Sequence, residues 1–279
     1  MKCVSMIGLL QVVALLVFGQ HASGISEISV AHGDKIALVE SSIDIPTWHE
    51  KNFWSLYDKY ENVNEQVSSS AFRVLHDLAK VDLSTNDNEA LDHAKKLIAY
   101  RYEQFNIKSK YFQEMGDAFN GVIAFQFLQT ETLLDIMESS RIYEQTSWRK
   151  FRFHAKAVPS EQLRSAKYNT IATALSLPAD KAQQFYNVYT RYQVECDATL
   201  GEDYSIYSLF SGQPSDFTPA LAKRSGQNLL LVMKRELKLK EKYFNEMSNV
   251  VGTSIACRFL AWEDYYSLTN KMLIWAENP

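Results

Sequence analysis

At 279 residues, with 46% hydrophobic and 22% charged residues, the chain has the composition of a folded protein that can bury one large core or two ordinary ones. Its net charge of −4 and pI of about 5.9 give no electrostatic footprint for nucleic acid, and no nucleic-acid partner is expected.

Residues 1–24 read as a secretory signal peptide. Lys2 supplies a positive start, Ile7 to Phe18 an apolar stretch, and Ala22-Ser23-Gly24 the small residues of a cleavage site. The apolar stretch is short for a membrane span and Gln11 interrupts it, so no stable membrane insertion is expected after cleavage. An N-terminal extension, 25–42, follows. From Pro46 to about residue 80, Phe53, Leu56, Tyr57, Tyr60, Val63, Val67, Ala71, Val74, Leu75 and Leu78 fall at the three- and four-residue spacing of a long amphipathic helix. A second helix is predicted from Asn86–Asn88 to Met115-Gly116, and a third over 121–143.

A connector, 146–168, carries Trp148-Arg149-Lys150-Phe151-Arg152-Phe153-His154. Its basic and aromatic residues interleave, as on surfaces that bind nucleic acid or anionic lipid; a connector with tucked aromatics and solvated cations reads the same way and is favoured in an acidic chain. Trp148, Arg149, Phe151, Arg152 and Phe153 are the candidate partner contacts.

The same three-helix pattern then returns over 169–279. Pro178 opens its first helix, which carries Phe185, Val188, Tyr189, Tyr192 and Cys196 and is ended by Ser211-Gly212-Gln213-Pro214-Ser215. Thr218 is the N-cap candidate of the second, with Pro219 in its first turn. The third runs over 253–275. The return keeps a fixed offset of 132 residues: Lys110-Tyr111-Phe112 reappears as Lys242-Tyr243-Phe244, and 11 of 32 positions are identical between 105–136 and 237–268. The expected fold is all-α, a tandem duplication of a three-helix unit with long antiparallel amphipathic helices. It reads as a monomer that carries an internal pseudo-dimer.

No chemistry recurs with the repeat. None of the histidines repeats at the offset, Glu-x-x-His is absent, and there is neither a nucleophile elbow nor a Gly-rich phosphate loop. No catalytic residue, metal or cofactor is expected. Glu131 and Glu263 are the sharpest polar candidates, since each repeats inside an apolar stretch. A catalytic carboxylate pair is one reading. A partly buried structural acid is the favoured one, neutralised by Lys110 and Lys242 or the tyrosines beside them. Cys196 and Cys257 remain after signal removal. They could pair in an oxidising compartment, or stay as two buried free thiols, since their offset equivalents are Asn64 and Phe125. The mature chain has no Asn-x-Ser/Thr sequon, which favours a bacterial periplasm over a eukaryotic secretory route.

Phe53-Trp54-Ser55-Leu56-Tyr57-Asp58-Lys59-Tyr60, Lys110-Tyr111-Phe112 and Ala256-Cys257-Arg258-Phe259-Leu260-Ala261-Trp262-Glu263 resemble motifs of small bacterial envelope proteins. Those proteins carry Phe-Trp-x-x-Tyr-x-x-Tyr and Ala-x-Arg-Phe-Phe-Gln-x-Glu, usually in one copy. More distantly the chain is similar to the Spy/CpxP-like family, whose helical hairpin opens with Leu-Thr-x-x-Gln. Here Leu177-Pro178-Ala179-Asp180-Lys181 and Ile45-Pro46-Thr47-Trp48-His49 replace that start. The resemblance implies a periplasmic or secreted, non-enzymatic binding protein: an ATP-independent chaperone for protein clients, or an envelope-stress accessory. The alternative is a scaffolding module with one dedicated partner protein. An enzyme of unknown reaction is the third reading.

Overall fold

The structure, a computed structural model, describes residues 32–80, 87–144, 160–208 and 217–277. Among these it contains eight α-helices and no strand, so the all-α expectation holds. They are α1 (His32–Ser42), α2 (Glu50–Lys80), α3 (Asp87–Ala118), α4 (Gly121–Glu144), α5 (Ser160–Ala174), α6 (Ala179–Ser208), α7 (Pro219–Val251) and α8 (Thr253–Glu277). No helix among the described residues is long and apolar enough to cross a membrane.

Local chemistry sets the helix starts. The Asn120 side chain accepts from the Val122 and Ile123 amides at 2.8 and 3.1 Å, capping α4 two residues after α3 ends. Thr218 caps α7 as expected, accepting from the Leu221 amide at 3.2 Å with Pro219 at the first position. Between α7 and α8 the chain reverses at Gly252, whose φ of 97° suits glycine. The start of α8 is capped from a distance: Asp87, at the head of α3, accepts from the Ser254 amide and hydroxyl at 3.2 and 2.6 Å.

Each trio of long helices is preceded by a short one. The extension 25–42 contains α1, which buries Leu38 and Val39 ahead of Ile43. The connector runs into α5, which buries Ile171 and Ala174 ahead of Leu175. Val39 and Ile171, like Ile43 and Leu175, stand 132 apart.

Two apolar clusters form, and the long helices α3 and α7 belong to both. Phe105, Tyr111, Phe112 and Met115 of α3 lie in the first cluster with α1, α2 and α4, whereas Ala90, Ala94 and Leu97 lie in the second with α5, α6 and α8. Helix α7 does the reverse: Ala222, Leu229 and Leu230 join the first cluster, and Tyr243, Phe244 and Met247 the second. Small residues mark the crossings. A Cβ on Gly226 would stand 2.3 Å from the Phe112 ring, and one on Gly121 would stand 2.0 Å from the Pro219 carbonyl oxygen.

Within each cluster the aromatic stripe of the first long helix meets one Phe. Tyr60 is edge-on to Phe127 at 4.9 Å, and Tyr192 to Phe259 at 5.3 Å.

Candidate functional site

The stripe spacing of α2 turns Tyr57 and Tyr60 onto α4, where Glu131 is 2% exposed. Tyr57 donates to one Glu131 carboxylate oxygen at 2.9 Å and Tyr60 to the other at 2.6 Å. Lys108, on α3, donates to the Glu131 backbone carbonyl at 3.2 Å and pairs with Asp135. Burial pushes the Glu131 carboxyl up to about 7, with Glu61 and Asp135 adding to it and Lys108 and Tyr60 opposing.

The residues 132 positions on use the same geometry with a different charge. Glu263 accepts from Tyr189 at 3.0 Å, and its second oxygen pairs with Lys167 of α5 at 3.0 Å. The Lys167 ammonium lies 3.8 Å from the centre of the Tyr266 ring, and the Tyr189 and Tyr192 rings stand at 5.8 and 5.9 Å. Burial, the largest influence, would lower the Lys167 pKa; Glu263, Tyr266 and Cys196 together outweigh it and hold the ammonium charged.

Lys35 is the offset equivalent of Lys167, yet it goes elsewhere. It pairs with Glu138 at 2.7 Å and Glu61 at 3.6 Å, two acids that α6 and α8 replace with Gln193 and Asn270. Glu131 therefore keeps two phenols and no cation on its carboxylate oxygens, while Glu263 has one of each.

The structure corrects the expected partners. Lys110 pairs with Glu114 at 3.7 Å and Lys242 with Glu195 at 2.7 Å, both on exposed faces. Residues two apart on a helix point to opposite sides, so the inward lysine of α3 is Lys108. The tyrosines that hold the acids come from α2 and α6, not from beside Lys110 and Lys242. Lys35 and Lys167 precede the predicted helices, in the extension and the connector, so the repeated helical pattern does not reveal them although they stand 132 apart.

Of the two alternatives for the cysteines, the structure has the buried thiols and not the pair. Cys196 and Cys257 are both free and buried. The Cys196 thiol stands 3.7 Å from the Tyr192 hydroxyl on its own helix, and Cys257 donates to the Ala90 carbonyl of α3 at 2.9 Å. Burial pushes the two thiols up to about 11 and about 12. The expected partner contact Trp148 to Phe153 lies outside the described residues.

A cleft of about 110 Å³ opens where α3, α4, α7 and α8 meet. Its lining contains offset pairs: Lys108 with Lys240, Gln104 with Glu236, Asp135 with Ser267, and Thr132 with Asp264. Lys240 stands 2.6 Å from Asp264 and 3.2 Å from Glu236. Arg101 reaches across to Asp264 at 3.4 Å, and Ser267 donates to Glu236 at 2.7 Å. Burial, the largest influence, pushes Asp264 up, but Lys240 and Arg101 together outweigh it and hold the carboxyl below its ordinary range. Glu131 and Glu263 do not line this cleft.

No group of three or more His, Cys, Asp or Glu among the described residues is arranged to hold a metal. No family model, known protein or solved structure matches the chain.

Proposed function

We propose that the protein is an exported, non-enzymatic helical binding protein that makes transient, partly apolar contact with unfolded or envelope proteins without ATP. The observation that carries this reading is Trp48, which stands 77% exposed on the turn before α2. Its ring lies 6.1 Å from His49, which is edge-on to Phe119 at 5.2 Å, so the indole projects from a braced aromatic base. A large aromatic held outward on a rigid element is the residue type that anchors protein contacts. Val63 and Leu231 are further exposed apolar side chains on the long helices.

The interior supports the same reading. Both repeated glutamates spend their oxygens on phenols and a lysine of the core, which suits pinning helices together better than moving protons on a substrate. The signal-like first 24 residues and the envelope-protein motifs support an extracytoplasmic setting.

The test is aggregation of an unfolded client with purified mature protein and no ATP. Suppression that weakens in Trp48→Ala, with helix content unchanged, is the expected result. No suppression at several-fold excess would sink the reading.

A further inference from the structure

The cleft between α3, α4, α7 and α8 carries charge in equal amounts. Arg101, Lys108 and Lys240 supply three cations, and Asp135, Glu236 and Asp264 three anions. A ligand bearing a single negative charge would meet three carboxylates there, and one bearing a single positive charge would meet three cations. Neither is selected. A molecule carrying both signs can set each end against its complement.

Two positions on α4 stand ready to receive such a molecule. Asp135 and Ser139 are four residues apart, hence neighbours on one helix face. Asp135 uses one carboxylate oxygen on Lys108 and, with two oxygens, has further acceptor capacity. Ser139 is 1% exposed, lines the cleft, and its hydroxyl has no hydrogen-bond partner. Buried hydroxyls without a partner are uncommon and call for an explanation. Across the cleft, the Arg101 guanidinium donates to Gln104 at 3.1 Å and pairs with Asp264 at 3.4 Å, so a ligand carboxylate would share this planar fork with them. Phe105, Ile136, Met233 and Leu237 give apolar wall between the charges. The side chains of Arg101 and Asp135 keep 17% and 24% exposure, so the cleft reaches solvent.

We propose that this cleft binds a compact zwitterion of the size of a small α-amino acid, its ammonium on Asp135 and Ser139 and its carboxylate toward Arg101. The volume limits the size: about 110 Å³, against about 30 Å³ for one water, is the room of about four waters and admits only a small molecule. The reading goes beyond client contact through Trp48, since it concerns the opposite kind of surface: buried, charged and shared by both apolar clusters.

The test is isothermal titration of the purified mature chain with glycine, L-alanine, L-serine and glycine betaine, and with acetate and methylammonium as the two halves of the same charge pattern. At least one zwitterion is expected to bind saturably with a Kd of about 1 mM or tighter, while acetate and methylammonium at equal concentration do not. Ser139→Ala is expected to weaken that zwitterion about tenfold. Asp135→Asn is expected to weaken it at least as much and to admit acetate, because the cleft then carries an excess cation. Circular dichroism establishes that each variant is folded; if Asp135→Asn is not, Ser139→Ala decides alone. Absence of saturable binding by all four zwitterions to about 10 mM would overturn the proposal. Equal binding of the single-charge probes, or full affinity in a folded Ser139→Ala, would overturn it too.

Discussion

Glu131 gives the protein a pH dependence of the opposite sign to that of most carboxylates. Its folded-state carboxyl is pushed up to about 7 by burial, from an ordinary 4.5 in the unfolded chain. Between those values the folded state holds a proton that the unfolded state has released, so stability falls as pH rises. The contribution is complete below about pH 4.5 and is lost through pH 7. A difference of about 2.5 pH units at about 1.36 kcal/mol each is about 3 kcal/mol, most of it spent between pH 5 and pH 8. Glu138 is also pushed up by burial, against Lys35, and adds in the same direction. The perturbation is Glu131→Gln, which keeps the shape and removes the titration. The assay is urea unfolding of wild type and variant at pH 5, 6, 7 and 8. Wild type should lose about 2–3 kcal/mol over that range, and Glu131→Gln should lose far less. If the variant keeps the wild-type slope, or wild type has none, the carboxyl is not held as its surroundings imply and the reasoning fails.

Three further outcomes follow from the same contacts. Glu263→Gln strands the Lys167 ammonium among three tyrosine rings, and removing one partner of a buried pair costs about 3–5 kcal/mol. Urea unfolding of Glu263→Gln against wild type should therefore show that loss. Gly121→Ala should lower Tm more than Gly226→Ala, because the first drives a Cβ into the backbone carbonyl of Pro219 and the second into a side chain, Phe112, that can shift at a cost of about 1–3 kcal/mol. Cys196 and Cys257 should resist thiol reagents in the native protein at pH 8 and label fully in denaturant, read by mass spectrometry of their peptides; rapid native labelling at either would contradict their burial and raised pKa.

The helices themselves were legible because their apolar spacing is regular and their ends carry strong local signals. Phe53, Tyr57 and Tyr60 announce an inward stripe, and Thr218-Pro219 announces a start; both are properties of neighbouring residues. The short helices α1 and α5 were not read as helices, since each buries only a few apolar residues and rests on contacts with longer elements. The Glu131 and Glu263 positions stood out by repetition, but their partners did not. Which lysine reaches an acid depends on helix rotation, and a two-residue error moved the choice from Lys108 to Lys110. The cleft was invisible for a deeper reason. Arg101, Asp135 and Asp264 come from three helices whose crossing no single stretch of sequence encodes.

The exchange of α3 and α7 between the two clusters bears on how the chain is made. A polypeptide emerging from its N-terminus completes α1 to α4 well before Ala222, Leu229 and Leu230 exist, so the first cluster waits with Phe112 and Phe125 uncovered. Ala90, Ala94 and Leu97 likewise wait for α8, which is synthesised after α7. Neither half can finish alone, and the contacts that close both cores join residues more than a hundred positions apart. Such closure is slow and leaves apolar surface open to aggregation in the meantime. The same interlock works in reverse once formed: a break in the backbone between α4 and α5 would leave two pieces that clasp one another, and they should separate only when both unfold.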